Sequence, residues 1–220
     1  KIIAGTGTYS TSESIEITKM ADSLGVDGIM IVTPYYSKPS QHGILRHFEE
    51  ISKITDLPIM AYNIPGRTST LIELETLQTL VDDIGIHSIK DAVGDFEFSK
   101  KQLELLKDKA DIYSGNDNQT YDFVINGGVG VVSVASHVVG DEISEMISFA
   151  KDNDLEKAEE INMQLSNLFE AIFEEPSPGP IKKILSESWE EVGEPLLPIT
   201  SITPELANKI RGFYKKIKEN

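Results

Sequence analysis

The 220-residue sequence predicts an α/β protein, a TIM-type (β/α)8 barrel with a C-terminal helical extension. Three observations carry that expectation. Short, almost continuous apolar runs such as Gly28-Ile29-Met30-Ile31-Val32 suit strands covered on both faces, as in parallel sheets. These runs alternate with helical patterns at intervals of roughly 20–30 residues, the spacing of βα units. Polar stretches rich in Gly or Pro close nearly every strand at its C-terminal end, the face where such barrels gather their chemistry. An open doubly wound sheet is the competing architecture. However, Gly5-Thr6-Gly7 lacks the third glycine of the dinucleotide pattern that such a sheet carries at its first turn.

The elements follow in order. Ile2-Ile3-Ala4 is a strand running into Gly5-Thr6-Gly7-Thr8, and Ser10 with Glu13 has capping-box spacing for a helix that Gly25 ends. The strand at Gly28–Val32 stops at Thr33-Pro34-Tyr35-Tyr36, and Ile44, Leu45, Phe48 and Ile51 mark the next helix. A strand over Leu57–Tyr62 closes in Asn63-Ile64-Pro65-Gly66-Arg67-Thr68, before a helix marked by Leu74, Leu77 and Val81. The run Ile86–Lys90 is the fourth strand, followed by a helix from Phe96 to Leu106. Asp111-Ile112-Tyr113 leads to Ser114-Gly115-Asn116-Asp117 and a short helix holding Tyr121, Val124 and Ile125. Gly127-Gly128 breaks it, and Val129–Val134 is the last strand. The tail is helical, with Ile161, Leu165, Leu168 and Ile172 on one face, an interruption at Pro176–Pro180, and a final helix opened by Thr203-Pro204-Glu205.

Six units do not close eight strands. The two others are expected before Lys1, since the chain opens on Lys rather than Met and enters a strand at once. Residues 1–150 are then expected to form units three to eight of the barrel, and residues 151–220 the helical extension.

With 40% hydrophobic and 25% charged residues, the composition is that of a globular domain. No apolar run approaches the roughly 20 residues that span a bilayer. The formal charge of −16 argues against nucleic acid or an anionic membrane as partner. The absence of cysteine excludes disulfides and thiolate metal sites, and fits a cytoplasmic protein. His42, His47 and His87 have no metal-ligand spacing, so no metal site is expected.

The chemistry centres on Lys90. A lysine where a buried strand emerges is partly desolvated, which lowers its pKa and makes it a nucleophile able to form a Schiff base with a carbonyl carbon. The alternative is a packed stem with a solvated ammonium. If the strands are parallel neighbours, Tyr36, Tyr62, Arg67, Lys90, Gly115 and Val132 project toward one mouth. Each has a plain reading beside the chemical one. The tyrosines could be half-buried with satisfied hydroxyls, Arg67 solvated, and His137 structural rather than a general base. Together they make chemical sense: tyrosine hydroxyls can relay protons for an iminium-forming lysine, and an arginine can hold a carboxylate through two parallel hydrogen bonds.

In order and spacing, Thr33-Pro34-Tyr35-Tyr36, Tyr62-Asn63-Ile64-Pro65-Gly66-Arg67-Thr68, Ile89-Lys90-Asp91-Ala92-Val93-Gly94 and Ser114-Gly115-Asn116-Asp117 resemble the dihydrodipicolinate synthase family of class I pyruvate-dependent aldolases. The resemblance covers the whole chain. It implies that Lys90 forms the Schiff base with pyruvate and that Tyr62 donates and accepts protons. It also implies that Tyr36 is a second relay tyrosine reaching into a neighbouring subunit. Arg67 would bind the carboxylate of aspartate 4-semialdehyde, while Gly115 and Val132 would line the pyruvate pocket. The implied reaction condenses these substrates to hydroxy-tetrahydrodipicolinate for lysine and diaminopimelate biosynthesis, without metal or organic cofactor, in a homotetramer built as a dimer of dimers.

The departures from the family pattern are specific. Its first two strands, with a Gly-Thr-Thr-Gly-Glu motif, are not in this sequence, and Ser177 stands where an Asn is frequent. Tyr35 and Glu13 match positions the family uses for lysine feedback, but Tyr9 stands where Asn is common, so inhibition by lysine is undecided. Two alternatives remain: an aldolase acting on 2-keto-3-deoxygluconate or N-acetylneuraminate, and an inactive fragment. A chain without the two units is expected to fold poorly and be nearly inactive by itself, because it leaves open barrel edges.

Overall fold

In the computed structural model, which describes residues 1–219, six strands form one all-parallel sheet in the order β1-β2-β3-β4-β5-β6. The strands are β1 (Ile3–Gly5), β2 (Gly28–Val32), β3 (Ile59–Asn63), β4 (Ser88–Asp91), β5 (Asp111–Ser114) and β6 (Gly130–Val131). Every strand pairs with its sequence neighbour. A doubly wound sheet reverses direction at a switch point, and no reversal occurs here. The connections include α1 (Thr11–Ser23), α2 (Gln41–Ser52), the short α3 (Pro65–Thr68), α4 (Leu74–Asp82), α5 (Phe96–Leu105) and α6 (Thr120–Ile125). The tail holds α7 (Ser136–Lys151), α8 (Leu155–Ala171), α9 (Gly179–Ser188) and α10 (Pro204–Lys218). No helix among the described residues is long and apolar enough to cross a membrane.

Two compact units divide the chain: residues 1–116 with 126–131, and residues 117–125 with 132 onward. In the first unit, Ile29, Ile31, Ala61 and Ile89 are fully buried in the strands, and Ile44, Phe48, Ile51, Leu77 and Leu80 are fully buried on the helices. Each large side chain so covered contributes about 1.5–3 kcal/mol of transfer free energy. In the second unit α7 packs on α8, with Met146 and Ala150 meeting Val124 and Ala158. Of the face predicted on α8, Leu165, Leu168 and Ile172 are fully buried. Helix starts follow the predicted caps: Ser10 accepts from the Glu13 N–H, and Thr203 accepts from the Leu206 N–H ahead of Pro204. Such a cap is worth about 1 kcal/mol.

The last strand is shorter than the sequence suggests. It spans only Gly130–Val131, where Val129–Val134 was expected. The reason is a competing acceptor. The N–H groups of Val134 and Ala135 donate to the Asp117 carboxylate at 3.2 and 3.1 Å, and the Ser133 hydroxyl donates to it as well. A β-branched run with fitting strand propensity is thereby drawn into a loop.

One buried histidine carries a consequence for stability. His47, on α2, is only 4% exposed. Its Nδ1 lies 2.9 Å from the Thr11 hydroxyl on α1, its Nε2 is buried without a hydrogen-bond partner, and its ring meets Phe48 edge-on. Burial lowers its pKa from 6.5 to about 4. Protonation is therefore easier in the unfolded chain, so this term favours the fold fully above pH 6.5 and is lost as pH falls toward 4. At 1.36 kcal/mol per unit the gap is worth about 3 kcal/mol. His47→Gln keeps a polar group for Thr11 but cannot titrate. In urea unfolding across pH 6.5 to 5 it is expected to flatten the pH dependence relative to the parent, and identical slopes would refute this account.

Candidate active site

The site is built from one row of the sheet. Strand register pairs Val32 with Tyr62, Tyr62 with Lys90, Lys90 with Tyr113, and Tyr113 with Gly130. Residues paired across parallel strands share a face, so Tyr62, Lys90 and Tyr113 stand side by side on three adjacent strands. Each occupies the penultimate position of its strand, next to the C-terminal end. All three are half-buried. The alternate positions one residue further on, Asn63, Asp91 and Ser114, also lie in register, face the other way and are buried.

These outward residues are polar, and each ties down the loop that follows its strand. Asn63, with no exposed surface, forms a two-point clamp with the Ile72 backbone, donating from Nδ2 to its carbonyl and accepting its N–H, both at 3.0 Å. That clamp closes the loop containing α3, where Thr68 donates to the Ile64 carbonyl and Arg67 sits on the exposed side. Asp91 accepts from the Val93 N–H, the Ser99 hydroxyl and Gln102 Nε2. Ser114 donates to the Asn116 carbonyl at 2.8 Å. Thr33, past the end of β2, donates both its N–H and its hydroxyl to the Tyr62 carbonyl at 3.0 Å, which fixes the backbone that carries Tyr62.

On the inward row, the Lys90 Nζ lies 4.1 Å from the centroid of the Tyr62 ring. A cation over a partly desolvated ring is attracted to its negative face, so Tyr62 fixes where the amine rests. Burial pushes the Tyr62 hydroxyl above its ordinary value, and the positive charge of Arg67 acts in the opposite direction. The phenol therefore stays protonated at neutral pH, and Arg67 is close enough to be felt by it. Lys90 thus lies against Tyr62, and the charge of Arg67 reaches the same phenol.

Gly115 stands immediately after β5, and its N–H donates to the Asp91 carbonyl at 2.6 Å. A Cβ here would meet the Ala92 Cβ at 2.7 Å and the Asp91 carbonyl oxygen at 3.0 Å. Only a residue without a side chain lets β5 approach the end of the lysine strand so closely. Val132, half-buried, is the first residue after β6 and belongs to the second unit. His137 is exposed at the start of α7.

Tyr36 differs from the other predicted residues. It is 92% exposed with φ of 67°, at the centre of a tight turn in which the Ser37 N–H donates to the Tyr35 carbonyl at 2.7 Å. A non-glycine residue held at positive φ is costly, and the turn projects its ring outward. Beside it, Tyr35 meets Tyr9 edge-on at 5.9 Å.

Sequence reasoning missed Tyr113, the neighbour of Lys90 on the β5 side. Burial and the nearby Asp111 raise its hydroxyl above the ordinary value, and its ring lies over Gly130, which leaves room for it. Alternation along the chain sets Tyr113 two residues before Gly115, but only the pairing of β4 with β5 puts it beside Lys90.

The family model of the dihydrodipicolinate synthetase family matches residues 1–217. The chain is 41% identical over 215 residues to 4-hydroxy-tetrahydrodipicolinate synthase of Desulforudis audaxviator, a match covering 98% of this chain and 73% of that one. It is 46% identical over 218 residues to the protein of the same name from Microcystis aeruginosa, covering 99% and 73%. A crystal structure of DHDPS from Cyanidioschyzon merolae with lysine bound superimposes with a TM-score of 0.95 at 39% identity, covering 99% of this chain and 74% of that one.

Proposed function

We propose that this chain, which belongs to the dihydrodipicolinate synthetase family, is the lyase its relatives are named for and catalyses the 4-hydroxy-tetrahydrodipicolinate synthase reaction. The substrates on this reading are pyruvate and L-aspartate 4-semialdehyde, and the product enters lysine and diaminopimelate biosynthesis. The observation that carries the reading is the Lys90 amine resting 4.1 Å from the Tyr62 ring, with Arg67 acting on the same phenol.

The chemistry runs through Lys90. Its neutral amine attacks C2 of pyruvate, and the carbinolamine so formed loses its hydroxyl as water to give an iminium. Loss of a C3 proton yields an enamine, whose C3 attacks the aldehyde carbon of the semialdehyde. The semialdehyde's own amino group then adds to C2 and displaces Lys90, closing the ring, so that one water is released overall. Tyr62, protonated and adjacent, moves protons to the departing hydroxyl and to the new alkoxide. Arg67 pairs with the semialdehyde carboxylate, and Gly115 shapes the pyruvate side. Lys90 supplies the covalent link, with no separate cofactor.

Borohydride reduction in the presence of pyruvate, followed by peptide mapping, tests the nucleophile: the adduct is expected on Lys90, and an adduct on another lysine would sink the assignment. Arg67 separates the substrates. Arg67→Ala is expected to raise KM for the semialdehyde by about 10- to 10²-fold, the order expected when a charge-assisted carboxylate contact of about 1.5–3 kcal/mol is lost, while labelling by pyruvate is retained. Unchanged KM would favour a substrate with a polyol tail.

The edges of the sheet suggest how the barrel completes. Edge strand β1 has Ile3 at 54% exposure, with Ile2 just before it at 65%, and among the described residues β6 has a partner on one side only. Two further parallel strands between those edges would make the closed eight-stranded barrel, with residues 1–150 as units three to eight and 151–220 as the extension. The exposed Tyr36, with Tyr35 and Tyr9 beside it, suits a subunit contact that delivers Tyr36 to a neighbour's site, as in a homotetramer formed from two dimers. The reaction's soluble substrates agree with a cytoplasmic location.

A further inference from the structure

We infer that Asp91 is a positioning residue for Lys90: its buried carboxylate fixes the end of β4 so that the amine is held at the place of reaction. The inference rests on Lys90 being the Schiff-base lysine. Asp91 directly follows Lys90, points to the opposite face and is 1% exposed. A carboxylate so deeply buried is costly unless donors surround it. Three do: the Val93 N–H at 2.9 Å, the Ser99 hydroxyl at 2.8 Å and Gln102 Nε2 at 3.2 Å. Two of these donors come from α5, so the strand end, the turn after it and the helix behind it are tied to one side chain. The Asp91 backbone is gripped as well, its carbonyl accepting the Gly115 N–H at 2.6 Å while the adjacent Ala92 N–H donates to the Asn63 carbonyl at 2.9 Å. A rotation at Asp91 would swing the neighbouring Cα, and with it the lysine.

One detail argues that this arrangement is maintained at a cost. Gln102 Oε1 is buried without a hydrogen-bond partner. The Asp91 carboxylate only accepts, so the Gln102 amide must turn its NH2 toward it and leave its oxygen unmatched. The same orphan makes a clean test possible. In Asp91→Asn the new amide can still accept from Val93, and its NH2 can donate to Ser99 Oγ and, once the Gln102 amide turns over, to Gln102 Oε1, with the Gln102 NH2 then taking the place that lacks a partner. Asparagine thus keeps the clamp, whereas alanine removes it.

The test uses the full chain and reads the maximal rate of borohydride labelling at saturating pyruvate, per folded molecule, with folding followed by thermal unfolding. Asp91→Ala is expected to label about 10-fold or more slowly, since misplacing a reacting group by about 1 Å can cost 10²-fold. Asp91→Asn is expected to restore the rate to within about twofold and to melt above Asp91→Ala, as the contacts to Val93, Ser99 and Gln102 are kept. If Asp91→Ala does not fold, Ser99→Ala, which keeps the carboxylate and two donors, is expected to fold and to slow labelling by about threefold or more. A folded Asp91→Ala that labels normally, an Asp91→Asn as slow as alanine, or an unaltered Ser99→Ala each overturns the inference. Labelling of the unaltered protein at a lysine other than Lys90 overturns the site reading and this inference together.

Discussion

Lys90→Ala is expected to abolish condensation, lowering turnover by about 10⁴-fold or more, and to eliminate the pyruvate adduct. The size follows from the role: removing a covalent nucleophile removes the route, and residues that act as a unit lose their joint contribution when one is taken away. The structure separates this effect from stability. Lys90 is half-buried, and its contact with the Tyr62 ring at 4.1 Å is worth about 1 kcal/mol, so the alanine variant should remain folded. Lys90→Arg sharpens the test. Arginine retains the positive charge and can still sit over the ring, but its guanidinium does not deprotonate to form an imine. If catalysis needed only a cation at this point, Lys90→Arg would keep measurable activity; the expected result is that both variants are equally inactive. Assays of turnover beside thermal unfolding decide the matter, and a folded, active arginine variant would refute covalent catalysis here.

How much of this was legible in the chain depends on which physical signal carried each part. Strand–helix alternation was plain because parallel strands buried on both faces are apolar throughout, and β2 is a clear instance. The inward row followed from the polar stretches at strand ends, which brought out Tyr62, Lys90 and Gly115. The end of β6 was not legible, because the residues Val129–Val134 favour a strand and the acceptor that draws them away is Asp117, well separated in sequence. Nor were Asn63 and Asp91, whose work is done facing away from the site. A polar residue after a functional one reads as solvated until its burial is known. Tyr113 was hidden for a different reason: register across strands, which puts it beside Lys90, is a property of pairing rather than of any local motif. Tyr36 shows the converse, a residue whose spacing marks it for the site and whose ring stands 92% exposed in the single chain.

Tyr62→Phe is expected to lower turnover by about 10²–10⁴-fold, the usual contribution of a positioned acid–base group. The substitution isolates the hydroxyl unusually well. The ring remains, so Lys90 keeps its aromatic contact, and Thr33 holds the residue through the Tyr62 backbone carbonyl rather than through its side chain. Placement of the amine should therefore survive. The proton inventory should not. Burial raises the phenol above its ordinary value near 10, so in the parent the group is protonated throughout the neutral range and is lost as a donor only when pH climbs through that raised value. Activity in the parent should accordingly fall on a strongly alkaline limb, and Tyr62→Phe should lose the limb along with the rate. Borohydride labelling offers the second readout. Carbinolamine dehydration needs a proton for the departing hydroxyl, so labelling by pyruvate should slow, yet the adduct should still appear on Lys90, because the nucleophile is intact. Full activity in a correctly folded Tyr62→Phe protein would show that another donor serves the reaction, and Tyr113, on the far side of Lys90 in the same row, would be the first to test.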